Sequence, residues 1–129
     1  MKVVTAAIAI RGRKLFVAQR APGEKFEGFW EFPGGKLEEG ESASQCIERE
    51  LYEEFGIRAQ AVGEIGATDY ALPSGVIRLV AVKVEFPDTP LELSVHSQVD
   101  WLEVEGLAQI ELLPADVQLL KEIESRLFQ

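Results

Sequence analysis

Apolar positions along this 129-residue chain fall into two rhythms. Val3–Arg11 and Leu15–Arg20 are strand-like runs parted by Gly12-Arg13-Lys14, and this arrangement predicts a hairpin. Ala21–Phe29 reads as a loop, and Trp30-Glu31-Phe32 as a short apolar–polar–apolar strand that Pro33-Gly34-Gly35 breaks. Further strands are expected at about 58–70, 76–86 and 92–101, with Leu72-Pro73-Ser74-Gly75 as a turn between the first two. A second rhythm, close to 3.6 residues, governs two segments. Ile47, Leu51 and Phe55 make one helical stripe, and Val117, Leu119, Leu120, Ile123 and Leu127 make another over Ala115–Leu127, behind Pro114.

The first helix is delimited by its caps. Ser42-Ala43-Ser44-Gln45 is a capping box that starts it near Ala43, and Gly56 is placed to end it. Near its end stand Glu50, Glu53 and Glu54. Glu50 and Glu54 lie roughly 40° apart and Glu53 about 60° beyond Glu50, so all three project from one side beside the apolar stripe. Like charges at such spacings destabilise a helix by a few tenths of a kcal/mol per pair. A divalent cation would offset them, and hard carboxylate oxygens suit Mg2+ or Mn2+. A solvated acidic face is the alternative that the carboxylates alone leave open.

Composition narrows the field. The length predicts one α+β domain over residues 1–129, with 47% hydrophobic and 27% charged residues, as in soluble globular chains. No apolar run reaches the roughly 18 residues that span a bilayer, and the apolar N-terminus reads as a strand and not as a signal peptide. Cys46 stands alone, which excludes an internal disulfide and an all-cysteine zinc site, and leaves the cytoplasm as the default location. A net charge of −9 argues against polymeric nucleic acid as partner. Ten of the 22 acidic residues fall between Glu24 and Glu54, where a polyanion is tolerated only with intervening metal.

The wider pattern, Gly-x5-Glu-x7-Arg-Glu-(aliphatic)-x-Glu-Glu-x-Gly-(aliphatic), is matched at Gly35, Glu41, Arg49, Glu50, Leu51, Glu53, Glu54, Gly56 and Ile57. It resembles the signature of the Nudix, or MutT-like, hydrolases. The flanks Leu15–Arg20 and Gly28–Lys36, and Leu112-Leu113-Pro114-Ala115-Asp116 near the end, resemble the CTP or 8-oxo-dGTP pyrophosphohydrolase subgroup. The resemblance implies a Nudix α/β/α sandwich around a mixed sheet, with the motif helix on one side and the C-terminal helix on the other. It implies a small nucleotide substrate, with CTP, 5-methyl-dCTP and 8-oxo-dGTP as candidates, cleaved to monophosphate and pyrophosphate. No membrane is implied, and monomer and homodimer both stay open.

Carried over by position, the Gly34 carbonyl, Glu50, Glu53 and Glu54 are the expected metal ligands, and Glu53 or Glu50 the general base. Arg49 is expected to brace a motif carboxylate, with direct phosphate contact as the alternative, while Glu41, Gly35 and Gly56 shape the motif. Arg20 and Lys36 are candidate phosphate or base contacts, or plain surface charges. Asp116 either reads the base edge or favours its helix dipole. Phe29, Trp30, Phe32 and Tyr70 are candidates for packing on a base. Some relatives place a further glutamate before a histidine on a late loop. Here Val95 precedes His96, which leaves Glu92 or Asp100 as substitutes and shifts weight onto the helix carboxylates.

Two other readings compete. Pro73, 16 residues past the motif, is a spacing associated with ADP-ribose hydrolysis, though it sits in a turn. A non-catalytic nucleotide-binding module is the other, against which the intact motif stands.

Overall fold

A computed structural model describes residues 1–129. Strand β1 (Lys2–Arg11) runs through its centre, with Thr5 to Ala9 all buried. Such a run, apolar on both faces, suits a strand covered from both sides. β1 pairs in parallel with β5 (Gly75–Glu85), from Lys2↔Ile77 to Ala9↔Val84, and β5 pairs antiparallel with β4 (Gln60–Leu72). On the other side stand β2 (Lys14–Arg20) and β3 (Trp30–Glu31), while β6 (His96–Glu103) lines the far edge of β2. The mixed sheet matches the expectation.

Strand alternation sorts the core into two layers. Ala7, Ala9, Phe16, Ala18, Val80 and Val82 face helix α1 (Ala43–Phe55), which returns Ile47, Leu51 and Phe55. Ala6, Ile8, Leu15, Val17, Leu79 and Ala81 face helix α3 (Pro114–Ile123), which returns Leu119 and Ile123. The two helices therefore cover opposite faces of the sheet.

The capping box of α1 is present, with Ser42 Oγ accepting from the Gln45 N–H at 3.1 Å and Gln45 Oε1 from the Ser42 N–H at 2.9 Å. Gly56 ends the helix at φ 69°, a left-handed cap that a residue with a Cβ adopts only under strain.

Three expectations shift. β1 and β2 hold hairpin pairing only at Ile10↔Leu15 and Arg11↔Lys14, then part to admit the segment from Phe29 to Leu37. The last strand starts at His96, because the stretch before it caps the end of α1: the Glu92 N–H donates to the Phe55 carbonyl and Ser94 Oγ to that of Glu54. The C-terminal helix tightens to a 3-10 turn over Glu124–Arg126, and Val117 is exposed, not part of its buried stripe. A one-turn helix α2 (Val104–Leu107), too short to show periodicity, follows β6.

Candidate active site

The segment inserted between β1 and β2 carries the glycine turn of the motif. The Ala7 N–H donates to the Pro33 carbonyl at 2.7 Å, the Thr5 N–H to that of Gly35 at 2.8 Å, and the Leu37 N–H to that of Val3 at 3.1 Å. The Gly34 carbonyl between them accepts no hydrogen bond. Gly34 is required by space, and Gly35 leaves room for the Glu50 carboxylate. A methyl group at Gly34 would overlap the Thr5 carbonyl, and one at Gly35 would stand 2.5 Å from the Glu50 carboxyl carbon. Gly34 is thereby pressed against the sheet and Gly35 against α1.

Helix α1 has no acidic residue in its first turn and no basic one in its last. Its motif carboxylates crowd toward the negative end of the helix dipole, where they are disfavoured. Arg49 offsets part of this. Its Nε and Nη2 donate to the two oxygens of Glu41 at 2.7 and 3.0 Å, Nη1 to Glu50 at 2.9 Å and Glu53 at 3.1 Å, and Nη2 to the Lys36 carbonyl at 3.1 Å. The bidentate Arg49 contact holds the Glu41 carboxyl down at about 2.

The three carboxylates are not equivalent. Glu53 lies outermost, with its side chain 54% exposed, whereas Glu50 and Glu54 retain 17% and 13%. Glu54 Oε1 is buried without a hydrogen-bond partner. Burial, then the neighbouring Glu50 and Glu31, push its carboxyl up to about 9, against a smaller pull from Arg20.

Beyond Glu54 lies a group that sequence reasoning did not assemble. His96 is buried, and its ring stacks on Phe55 at 5.1 Å and 6°. Its Nε2 donates to Glu31 Oε2 at 2.7 Å and stands 3.8 Å from Glu54 Oε1. Arg20 Nη1 reaches the same Glu31 oxygen at 3.3 Å. Glu31 went unremarked, although a carboxylate between Trp30 and Phe32 in a short strand was itself a signal of a buried role. Neither proposed substitute joins this group: Glu92 sits against Gly56, and Asp100 accepts from the Trp101 N–H. Val95 contributes its carbonyl, which accepts from the Ala21 N–H at 3.0 Å.

A cavity of about 450 Å3 opens beside the glycine turn. Val4, Ile77, Leu79 and Leu113 supply an apolar wall, and Gly34 and Gly35 form its edge toward the carboxylates. Arg20, Glu31, Lys36 and Asp116 bring polar groups to it. Tyr70 and the buried Phe32 line it, whereas Trp30 packs into the core on the α3 side. Asp116 is 4% exposed and caps no amide of its own helix; Oδ2 instead accepts from the Phe32 N–H at 3.0 Å. Burial pushes its carboxyl up to about 8, opposed by the Phe32 N–H and reinforced by Glu31.

These donors fit a hard divalent cation. The Gly34 carbonyl is unengaged and the buried Glu54 Oε1 is unpartnered, and Glu31, Glu54 and His96 bring two carboxylates and one imidazole nitrogen within 4.8 Å of one another.

The NUDIX domain model matches residues 1–123, and the chain belongs to the Nudix hydrolase family. It is 41% identical over 119 residues to the CTP pyrophosphohydrolase of Escherichia coli, spanning 92% of this chain and 87% of that protein. It is 35% identical to the 8-oxo-dGTP diphosphatase of Proteus vulgaris over 78% of each chain. The solution structure of the E. coli ORF135 protein superposes with a TM-score of 0.82 at 35% identity, over 97% of this chain and 89% of that one. A MutT protein from Methanosarcina mazei Go1, at 20% identity and a TM-score of 0.84 over 99% and 96% of the two chains, shares the fold. Nudix hydrolases use divalent metal, and no helix here is long and apolar enough to cross a membrane.

Proposed function

We propose that this protein hydrolyses a nucleoside triphosphate to the monophosphate and pyrophosphate, with Mg2+ or Mn2+ held by the Gly34 carbonyl, Glu50, Glu53 and Glu54. The observation that carries this reading is continuity. The cavity, large enough for a nucleoside, is edged by Gly34 and Gly35, and the Glu50 carboxylate stands against Gly35. The activities named for the relatives, on CTP and 8-oxo-dGTP, are of the same reaction type.

A bound divalent cation supplies charge neutralisation for the phosphates and lowers the pKa of coordinated water. The chain's own residues do the rest. Arg20 and Lys36, at the cavity edge, orient the phosphate chain, while Asp116 offers the carboxyl oxygen not used by Phe32 to the base. Water attacks the β-phosphorus, the bond from that phosphorus to the α,β-bridging oxygen breaks, and the water's proton passes to Glu53 or Glu50. Arg49 holds both carboxylates in register.

A panel of CTP, 5-methyl-dCTP, 8-oxo-dGTP, dATP oxidised at C2 and ADP-ribose, incubated with Mg2+, tests the proposal. Pyrophosphate release from a triphosphate is the expected result. Turnover of ADP-ribose alone would replace it with the sugar-nucleotide reading, and tight binding without turnover with the non-catalytic one.

A further inference from the structure

Phe26 stands apart from every other aromatic residue. It is the single non-glycine residue at positive φ, 59°, a region that a bulky side chain occupies only when its surroundings force it. Such strain is ordinarily offset by packing, yet Phe26 remains 51% exposed. Its position is nevertheless fixed. The Phe26 carbonyl accepts from the Phe29 N–H at 3.1 Å, and Arg20 Nε donates to the neighbouring Lys25 carbonyl at 3.0 Å. The Gly28 N–H, at φ 84°, donates back to the Arg20 carbonyl at 2.9 Å. The loop is thus fastened to the residue that also pairs with Glu31.

These bonds set Phe26 on the rim of the cavity, whose β1–β5 wall is aliphatic. Lys25 Nζ lies 5.3 Å from the ring centroid. A half-exposed aromatic ring in a strained backbone, at the rim of an apolar cavity, is matched by a flat heteroaromatic group.

We infer that Phe26 is a base-binding contact that stacks on the nucleobase at the cavity rim, so that affinity depends on the presence of a base as well as the triphosphate. The inference rests on the proposed nucleotide chemistry and adds the residue that holds the base. Stacking of this kind is tolerant of base identity, because every base offers a π face. It therefore favours aromatic nucleotides as a class over base-less triphosphates.

The test compares wild type with Phe26→Ala, Phe26→Trp and Phe26→Gly, using CTP and the base-less ribose 5-triphosphate. Phe26→Ala should raise KM for CTP about tenfold, the loss expected of one stacked base. It should leave KM for ribose 5-triphosphate at the wild-type value, and Phe26→Trp should restore CTP binding. Phe26→Gly should show the same KM defect without a lower Tm than Phe26→Ala, because glycine is free of the strain. An unchanged KM for CTP, or an equal loss on both substrates, would overturn the inference.

Failure of the underlying reading is separable, since wild-type protein would then release pyrophosphate from no nucleoside triphosphate. Binding of the fluorescent 1,N6-ethenoadenosine triphosphate with Ca2+ still decides the stacking. Quenching that disappears in Phe26→Ala upholds it, and quenching that persists overturns it.

Discussion

Arg49 and Glu41 meet fork to fork, through parallel bonds of 2.7 and 3.0 Å, and the same guanidinium reaches Glu50 and Glu53 with its remaining donor. Lysine carries the charge but not the fork. Arg49→Lys should keep the fold and lower kcat by about ten- to a hundredfold, the usual cost of losing a group that orients the residues proposed for the chemistry. Circular dichroism and steady-state rates check the two halves of this statement.

The same pair sets an acid limit. Glu41 has a folded-state pKa lowered from 4.5 to about 2, so its contribution to stability is present above 4.5 and is lost as pH falls through about 2. Glu41→Gln should therefore flatten that part of the stability–pH curve. Denaturant melts between pH 2 and 6 would show it; an unchanged curve would disprove the linkage.

Glu54 runs the other way. With its folded pKa raised from 4.5 to about 9, the metal-free protein loses stability as pH rises across that window. Glu54→Gln should raise the metal-free Tm at neutral pH, by about 4 °C for each kcal/mol recovered in a domain of this size. On the proposed ligand set, Mg2+ should stabilise the wild type and not Glu54→Gln. Glu50→Gln and Glu53→Gln should each lower the rate by roughly a hundredfold or more, and the larger loss identifies the base. Near-normal rates in both would remove this helix from the mechanism.

Adjacent glycines should fail differently. Gly34→Ala drives a methyl into the Thr5 carbonyl, which the sheet holds rigid, and should destabilise the protein by on the order of 3 kcal/mol. Gly35→Ala meets only the far end of the Glu50 side chain. It should fold almost normally and lose activity as that carboxylate is displaced. Thermal melts set beside rates distinguish the two.

Asp116 supplies an alkaline counterpart. Its folded pKa, raised from 3.8 to about 8, means that stability falls as pH climbs through that interval and a buried carboxyl ionises. Asp116→Asn should gain on the wild type progressively between about pH 4 and 8. Equal pH profiles would show that Asp116 is ionised throughout.

Much of this was legible in the chain. The capping box, Gly56 and the Ile47–Leu51–Phe55 stripe fixed α1 to the residue, because caps and periodicity are local signals. The two-layer core was expected only through the family resemblance, and strand alternation accounts for it once the pairing is known. Long-range contacts were the harder part. Nothing local in Glu31 and His96, 65 residues apart, announces that they share a hydrogen bond, nor in Phe32 and Asp116, 84 apart. Phe26 was overlooked for a different reason. Its information lies in a backbone angle, which composition and spacing do not encode.

The insertion of Phe29–Leu37 between β1 and β2 has a dynamic consequence. Surface loops usually open by themselves, at little cost in free energy. Here the Thr5 and Ala7 amides, on the central buried strand, are held by the carbonyls of Gly35 and Pro33. The glycine turn of the motif therefore belongs to the same cooperative unit as the core. Those two amides should exchange with deuterium only on global unfolding, so the geometry of the turn and the fold should be lost together.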